Sequence, residues 1–199
     1  MIHEAFTAPP TSATMQTLVS SANARAVVLA KLRLTEPIEV RQLSAMVGRI
    51  ASGTSLVSLG LYKLDHTGAR AHDPSNLDLT RRRFRRLDTG LAPITAVTQA
   101  NNLDPVTRTF SRGIRLDPNF ATYFAAMQVD GTDAMPLVSP AYDGTNYSRN
   151  LLAGIVCAPI PSTMGDLPTD LRFVQYAPLP LIAAYDAEGA YASLVRLTS

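Results

Sequence analysis

The chain has 199 residues, 46% of them hydrophobic and 17% charged, which suits one well-buried core and a globular rather than a disordered chain. No apolar run approaches the roughly 20 residues of a membrane-spanning helix, so membrane insertion is not expected. The single cysteine excludes an internal disulfide framework. The net charge of +2 hides an uneven spread, with 12 basic against 5 acidic residues from Arg25 to Arg86 and 6 against 9 from Asn101 to Ser199. Such asymmetry allows a basic half to meet an acidic half, within one copy or between copies. Arginine outnumbers lysine 16 to 2; its planar fork suits interfaces, although a codon bias gives the same ratio.

Met1-Ile2-His3-Glu4-Ala5-Phe6 has neither the basic nor the apolar region of a secretory signal. Residues 1–24 are rich in Ser, Thr, Ala and Pro, and Pro9-Pro10 bars early regular structure. They read as an extended docking arm with a short helical turn near Met15 to Val19. Its few apolar residues, Ile2 and Phe6 among them, cannot form a core of their own. They are expected to stay mobile in the isolated chain and to bury against a neighbour on assembly.

Residues 25–199 read as a single β-sandwich domain. Val28, Ala30, Leu32 and Leu34 alternate with Lys31 and Arg33, the period of a half-buried strand. Glu36 to Val40 and Leu56 to Lys63 follow, the latter closing on the turn Asp65-His66-Thr67-Gly68. Further strands are expected at Arg81 to Leu87, Val106 to Arg112, Ala121 to Val129, Leu151 to Ala158, Leu171 to Tyr176, Leu179 to Tyr185 and Tyr191 to Leu197. Connections such as Pro159-Ile160-Pro161 separate them, and the pattern indicates an all-β antiparallel sandwich or barrel. Leu59, Leu61, Tyr123, Ala125 and Met127 are expected in its core.

Four segments carry a resemblance. Ala26-Val27-Val28-Leu29-Ala30-Lys31-Leu32-Arg33-Leu34, Glu36-Pro37-Ile38-Glu39-Val40 and Ser58-Leu59-Gly60-Leu61-Tyr62 together resemble the opening strands of jelly-roll modules in tailed-bacteriophage virion proteins. Ile114-Arg115-Leu116-Asp117-Pro118-Asn119-Phe120-Ala121-Thr122-Tyr123-Phe124-Ala125-Ala126 is similar to the later turn of those modules that enters a core strand. Asn119 stands where the family has glycine and is expected to take the left-handed conformation. The resemblance covers roughly residues 25 to 130 and, more loosely, the closing strands. It implies a jelly-roll β-sandwich within a virion, assembled in the bacterial cytoplasm, without choosing a place on the particle. The family includes tail-fibre and receptor-binding modules, baseplate parts and capsid decoration proteins.

No enzymatic reading gathers support. His3, His66 and His72 lie in the arm or beside a hairpin, and there is no Gly-x-Ser-x-Gly elbow. No Cys/His cluster has metal-ligand spacing and no glycine loop suits phosphate, so neither a metal nor a cofactor is expected. Cys157, inside an apolar run, reads as a buried inert thiol.

Two features suggest contacts. In Arg81-Arg82-Arg83-Phe84-Arg85-Arg86, alternation puts Arg82, Phe84 and Arg86 on one face and Arg81, Arg83 and Arg85 on the other. Both faces then carry charge, which reads as a protected edge strand or projecting hairpin, or as a docking surface for acidic partners. Nucleic acid ranks lower, since one Phe interleaves the arginines and the net charge is small. The loop Tyr142-Asp143-Gly144-Thr145-Asn146-Tyr147 offers Tyr142, Asp143, Asn146 and Tyr147 as a platform for a host-surface glycan, or is a plain turn. The leading expectation is a non-enzymatic tail or fibre component that binds other virion proteins as a homotrimer or other symmetric oligomer. A capsid decoration or cement protein is the alternative, and a carbohydrate-binding module a third.

Overall fold

The computed structural model describes residues 3–8, 14–15, 18, 24–49, 53–65, 83–98, 103–130, 134–139 and 153–189. Among these residues the only regular elements are strands, every pair antiparallel, in two sheets.

The first sheet closes on itself. β3 (Val27–Lys31) lies between β9 (Tyr123–Val129) and β11 (Gly154–Ala158); β11 continues to β12 (Asp170–Ala177), and β9 to β5 (Ser55–Asp65). β6 (Arg83–Arg86) pairs with β5 at Tyr62–Asp65 and with β12 at Asp170–Arg172, completing a six-stranded ring. A short β7 (Thr95–Val97) flanks the start of β5. So narrow a ring has room inside only for side chains. Alternation turns Val27, Leu29, Tyr62, Leu64, Phe84, Phe124, Ile155 and Cys157 into one interior cluster. Phe84 and Phe124 meet edge to face there, with ring centroids 5.0 Å apart. Gly60 is small because Leu167 closes over it: a Cβ at Gly60 would lie 2.5 Å from Leu167 Cδ1.

The second sheet is built around the long β4 (Ile38–Arg49). β8 (Asp104–Leu116) runs along one side of it. On the other side β14 (Ile182–Tyr185) and then β10 (Ala134–Ser139) succeed one another. β13 (Leu179–Pro180) and β2 (Thr14–Met15) pair with β10, and β1 (Glu4–Phe6) with β14. Val40, Leu43, Ala45, Val106, Phe110 and Ile182 pack against Val28, Leu59, Leu61, Ala125 and Met127 on the outside of the ring. The two sheets therefore share a core.

The expected core residues Leu59, Leu61, Tyr123, Ala125 and Met127 are buried, as is Cys157. Three expectations change. Val27 to Ala30 are buried on both faces, because a ring strand has the interior on one side and the second sheet on the other. Asn119 is not left-handed; Arg25 is the one non-glycine residue with positive φ among the described residues. Asp117 makes that turn instead, its carboxylate accepting the Asn119 N–H at 3.0 Å and its carbonyl the Phe120 N–H at 3.0 Å. At the N-terminus, the described residues lie along their own sheet, and Thr14–Met15 are strand where a helical turn was expected. The Thr7 hydroxyl donates to the Pro180 carbonyl at 2.7 Å and accepts the Ile182 N–H at 2.9 Å, fixing β1 beside β14. The expected strand Tyr191 to Leu197 and the turn His66-Thr67-Gly68 lie outside the described residues.

Phe84→Ala should lose about 3–5 kcal/mol through the cavity it opens, whereas Arg85→Ala, on the exposed face of the same strand, should cost under about 0.5 kcal/mol; urea unfolding measures both. Burial pushes the Tyr62 phenol and the Cys157 thiol above their ordinary 10.0 and 9.0. The unfolded chain therefore releases those protons first. Stability should be full well below pH 9 and fall progressively as pH rises past the unfolded thiol's 9.0 and the unfolded phenol's 10.0. The double variant Tyr62→Phe with Cys157→Ala should flatten that fall in urea titrations run across the range.

Candidate functional site

Beyond β6 the chain stays tied to β5, Leu87 donating its N–H to the Leu61 carbonyl at 2.9 Å. This delivers Asp88 to the junction of the two sheets. Its Oδ1 accepts the Leu61 N–H at 3.3 Å. Its Oδ2 accepts Arg86 Nε at 3.0 Å and Nη2 at 2.7 Å, and also Nη2 of Arg108 from β8. Each of these three side chains is only 5% exposed. Arg86 also donates to the carbonyls of Leu167 at 2.7 Å and Gly90 at 2.6 Å. Arg108 donates to the Leu59 carbonyl at 2.5 Å, and its guanidinium lies 4.9 Å from the centre of the Phe110 ring. Burial pulls the Arg108 pKa down while the Asp88 charge holds it up.

One carboxylate thus bridges two arginines, leaving the cluster with one net positive charge, and backbone carbonyls accept from further guanidinium donors. Such a cluster is costly to desolvate and costlier to break, since loss of one partner strands a buried charge. Above it opens a cleft of about 390 Å³. One wall is the segment from Leu87 to Pro93 and the other is β8 from Thr109 to Ile114. The first wall is firmly held: Arg86 bonds the Gly90 carbonyl, Ala92 donates its N–H to Gly165 at 2.8 Å, and the Ser58 hydroxyl donates to Pro93 at 3.0 Å. Leu91 nevertheless stands 78% exposed at its rim. The single lining carboxylate, Asp88, is engaged by two arginines, and the hydroxyls of Thr89, Thr109 and Ser111 have no base among the lining residues. No group of three or more potential metal ligands occurs among the described residues.

The residues singled out from the sequence do not converge on this site. Phe6 is half-buried on β1, in the second sheet, where its carbonyl accepts the Arg33 N–H at 2.9 Å. β6 is not an edge or a projecting hairpin: it is flanked by β5 and β12, with Phe84 inside the ring. The alternation itself holds, as Arg83 and Arg85 are exposed while Arg86 turns into the cluster. Arg85 pairs with Asp65 at 3.2 Å and Asp170 at 3.9 Å. Ile2, Arg81, Arg82, Tyr142, Asp143, Asn146 and Tyr147 lie outside the described residues. Asp88 and Arg108 are the residues that sequence reasoning missed. The signal for Arg108 was present, a charge on the apolar side of an alternating strand between Val106 and Phe110.

No family model matches the chain, and no curated protein does. Among solved structures it is similar to a chain of the structure of infectious bursal disease virus Gt strain, at 8% identity and a TM-score of 0.30. That likeness covers 93% of this chain and 40% of the other, so this chain spans less than half its length. So distant a likeness assigns neither a fold family nor a function.

Asp88→Ala should destabilise the chain by about 3–5 kcal/mol by leaving Arg86 and Arg108 unneutralised. Arg112→Ala, on the exposed rim of the same cleft, should change stability by less than about 0.5 kcal/mol. Thermal unfolding of the two variants beside the unmodified chain checks the contrast.

Proposed function

We propose that this chain is a non-enzymatic structural component of a virus particle, a jelly-roll-type module of the tailed-bacteriophage class acting as a tail or fibre part. The observation that carries the reading is the character of the cleft. It is walled by hydroxyls, apolar side chains and a carboxylate already engaged by two arginines rather than by a nucleophile with a base. The opening segments that resemble phage jelly-roll modules are real strands in the structure, β3, β4 and β5, all at the centre of the fold. Arg83 and Arg172 add exposed cationic positions on neighbouring strands of the ring for acidic protein partners. Other virion proteins and further copies of the chain, in a homotrimer or another symmetric oligomer, are its proposed partners. Its proposed location is the particle.

Particles purified from cells that carry the gene should contain the chain at a fixed copy number, measured by quantitative mass spectrometry. A chain that stays in the soluble fraction while complete particles form without it would refute the proposal.

A further inference from the structure

The ionic cluster at the junction of the two sheets is short of one counterion. Arg86 and Arg108 share the single carboxylate of Asp88, and no further ion pair engages any of the three among the described residues. One positive charge is therefore held largely out of water, a state that a further negative group stabilises. The open side of the cluster is the cleft, which Arg108 helps to line. There a second cation joins it. Register between β4 and β8 jumps from Gln42↔Thr109 to Val40↔Ile114, so residues 110–113 stand opposite Arg41 alone and bulge. A bulge re-aims side chains, and Arg112 lies in this one. It lines the cleft, exposed, with no ion pair or hydrogen bond among the described residues. Glu39 reaches the same wall from β4, where a Cβ on Gly113 would collide with its carboxylate, but Arg41 engages it at 3.0 Å.

We propose that the cleft binds a carboxylate carried on an apolar group. Arg112 offers a free guanidinium, whose planar fork matches a carboxylate with two parallel hydrogen bonds. The surplus charge at the floor attracts the same group, and little water screens it there. A monoanion cancels that charge. A dianion such as phosphate overshoots it and brings a hydration shell that apolar walls do not replace. Leu91, Pro93 and Ile114 line the same space, and Leu91 is held exposed on a wall that is tied down along its length. An apolar group beside the carboxylate buries area against them. At about 390 Å³ the space suits an organic acid or one side chain with its neighbours rather than an inorganic ion. A free acid and an acidic side chain of a partner chain present this same chemistry. Such binding names the contact made at the cleft on which the proposed function rests. It is read on the isolated chain, so it and incorporation into particles can each fail without the other.

Heteronuclear NMR titration of the full chain tests this with benzoate against benzamide, and with a capped tripeptide of aspartate between two leucines against its asparagine counterpart. At least one of the two carboxylates should saturate at millimolar concentration or below, shifting the amide signals of residues 87–93 and 109–114. Its neutral counterpart should bind at least about tenfold more weakly, as expected for loss of a charge-assisted hydrogen bond. Binding of benzoate alone identifies a free acid as the ligand, and binding of the aspartate peptide identifies a partner's side chain. Arg112→Ala should weaken the carboxylate at least about tenfold, whereas Arg83→Ala, an exposed arginine on the ring outside the cleft, should leave it unchanged. Four results overturn the proposal: carboxylates that bind no more tightly than their neutral counterparts, an Arg112→Ala chain that binds as the unmodified one does, an Arg83→Ala chain weakened as much as Arg112→Ala, or inorganic phosphate that binds more tightly than either carboxylate.

Discussion

Four residues, Arg83–Arg86, close the ring, and the rest of the architecture depends on that closure. With β6 joined to β5 and β12, every ring strand has two neighbours and an enclosed inner face. The outer face of β3, β5 and β9 can then serve as the floor of a second core. One short strand thus makes burial possible on two sides of three others. Phe84 fills the interior from it, while Arg86 at its end starts the ionic cluster that reaches β8 in the other sheet. Closure of one layer and its attachment to the next come from one stretch of chain.

The attachment is electrostatic where the rest of the interlayer is apolar. Apolar side chains tolerate small slides of one sheet over another, because burial is non-directional. A carboxylate holding two guanidiniums does not, since any slide that parts Arg108 from Asp88 leaves a charge out of water without its counterion. The cluster therefore fixes how the sheets sit on each other. It also fixes the walls of the cleft, one of which hangs from each layer.

Much of this was legible in the chain. The period-two runs pointed to β3, β4, β5, β6, β8, β9, β11, β12 and β14, and Leu59, Leu61 and Met127 declared themselves core by pattern. What was not legible is which strands would meet. Arg83-Phe84-Arg85-Arg86 reads the same on an edge as in a closed ring, because alternation reports faces and says nothing of neighbours. Arginines on opposite faces suggested exposure on both sides; Arg86 is instead accommodated by a carboxylate two residues on and by the carbonyls of Gly90 and Leu167. The cleft was out of reach for the same reason. Its walls come from segments about twenty residues apart in sequence, and only the register jump in β8 shapes the gap between them. At Asn119 the residue type was suggestive, but Asp117 was already equipped to make the turn.

The pairing of Asp65 with Arg83 ends the ladder between β5 and β6. The chain thus leaves the ring and rejoins it at adjacent points, whatever lies between. Closing a flexible loop between fixed neighbours depends on its length only logarithmically, at about 0.6 kcal/mol for each doubling. The ring is therefore nearly indifferent to how much chain is carried at that position. What the ring needs at that position is the pair of anchors, Asp65 and Arg83, held opposite each other.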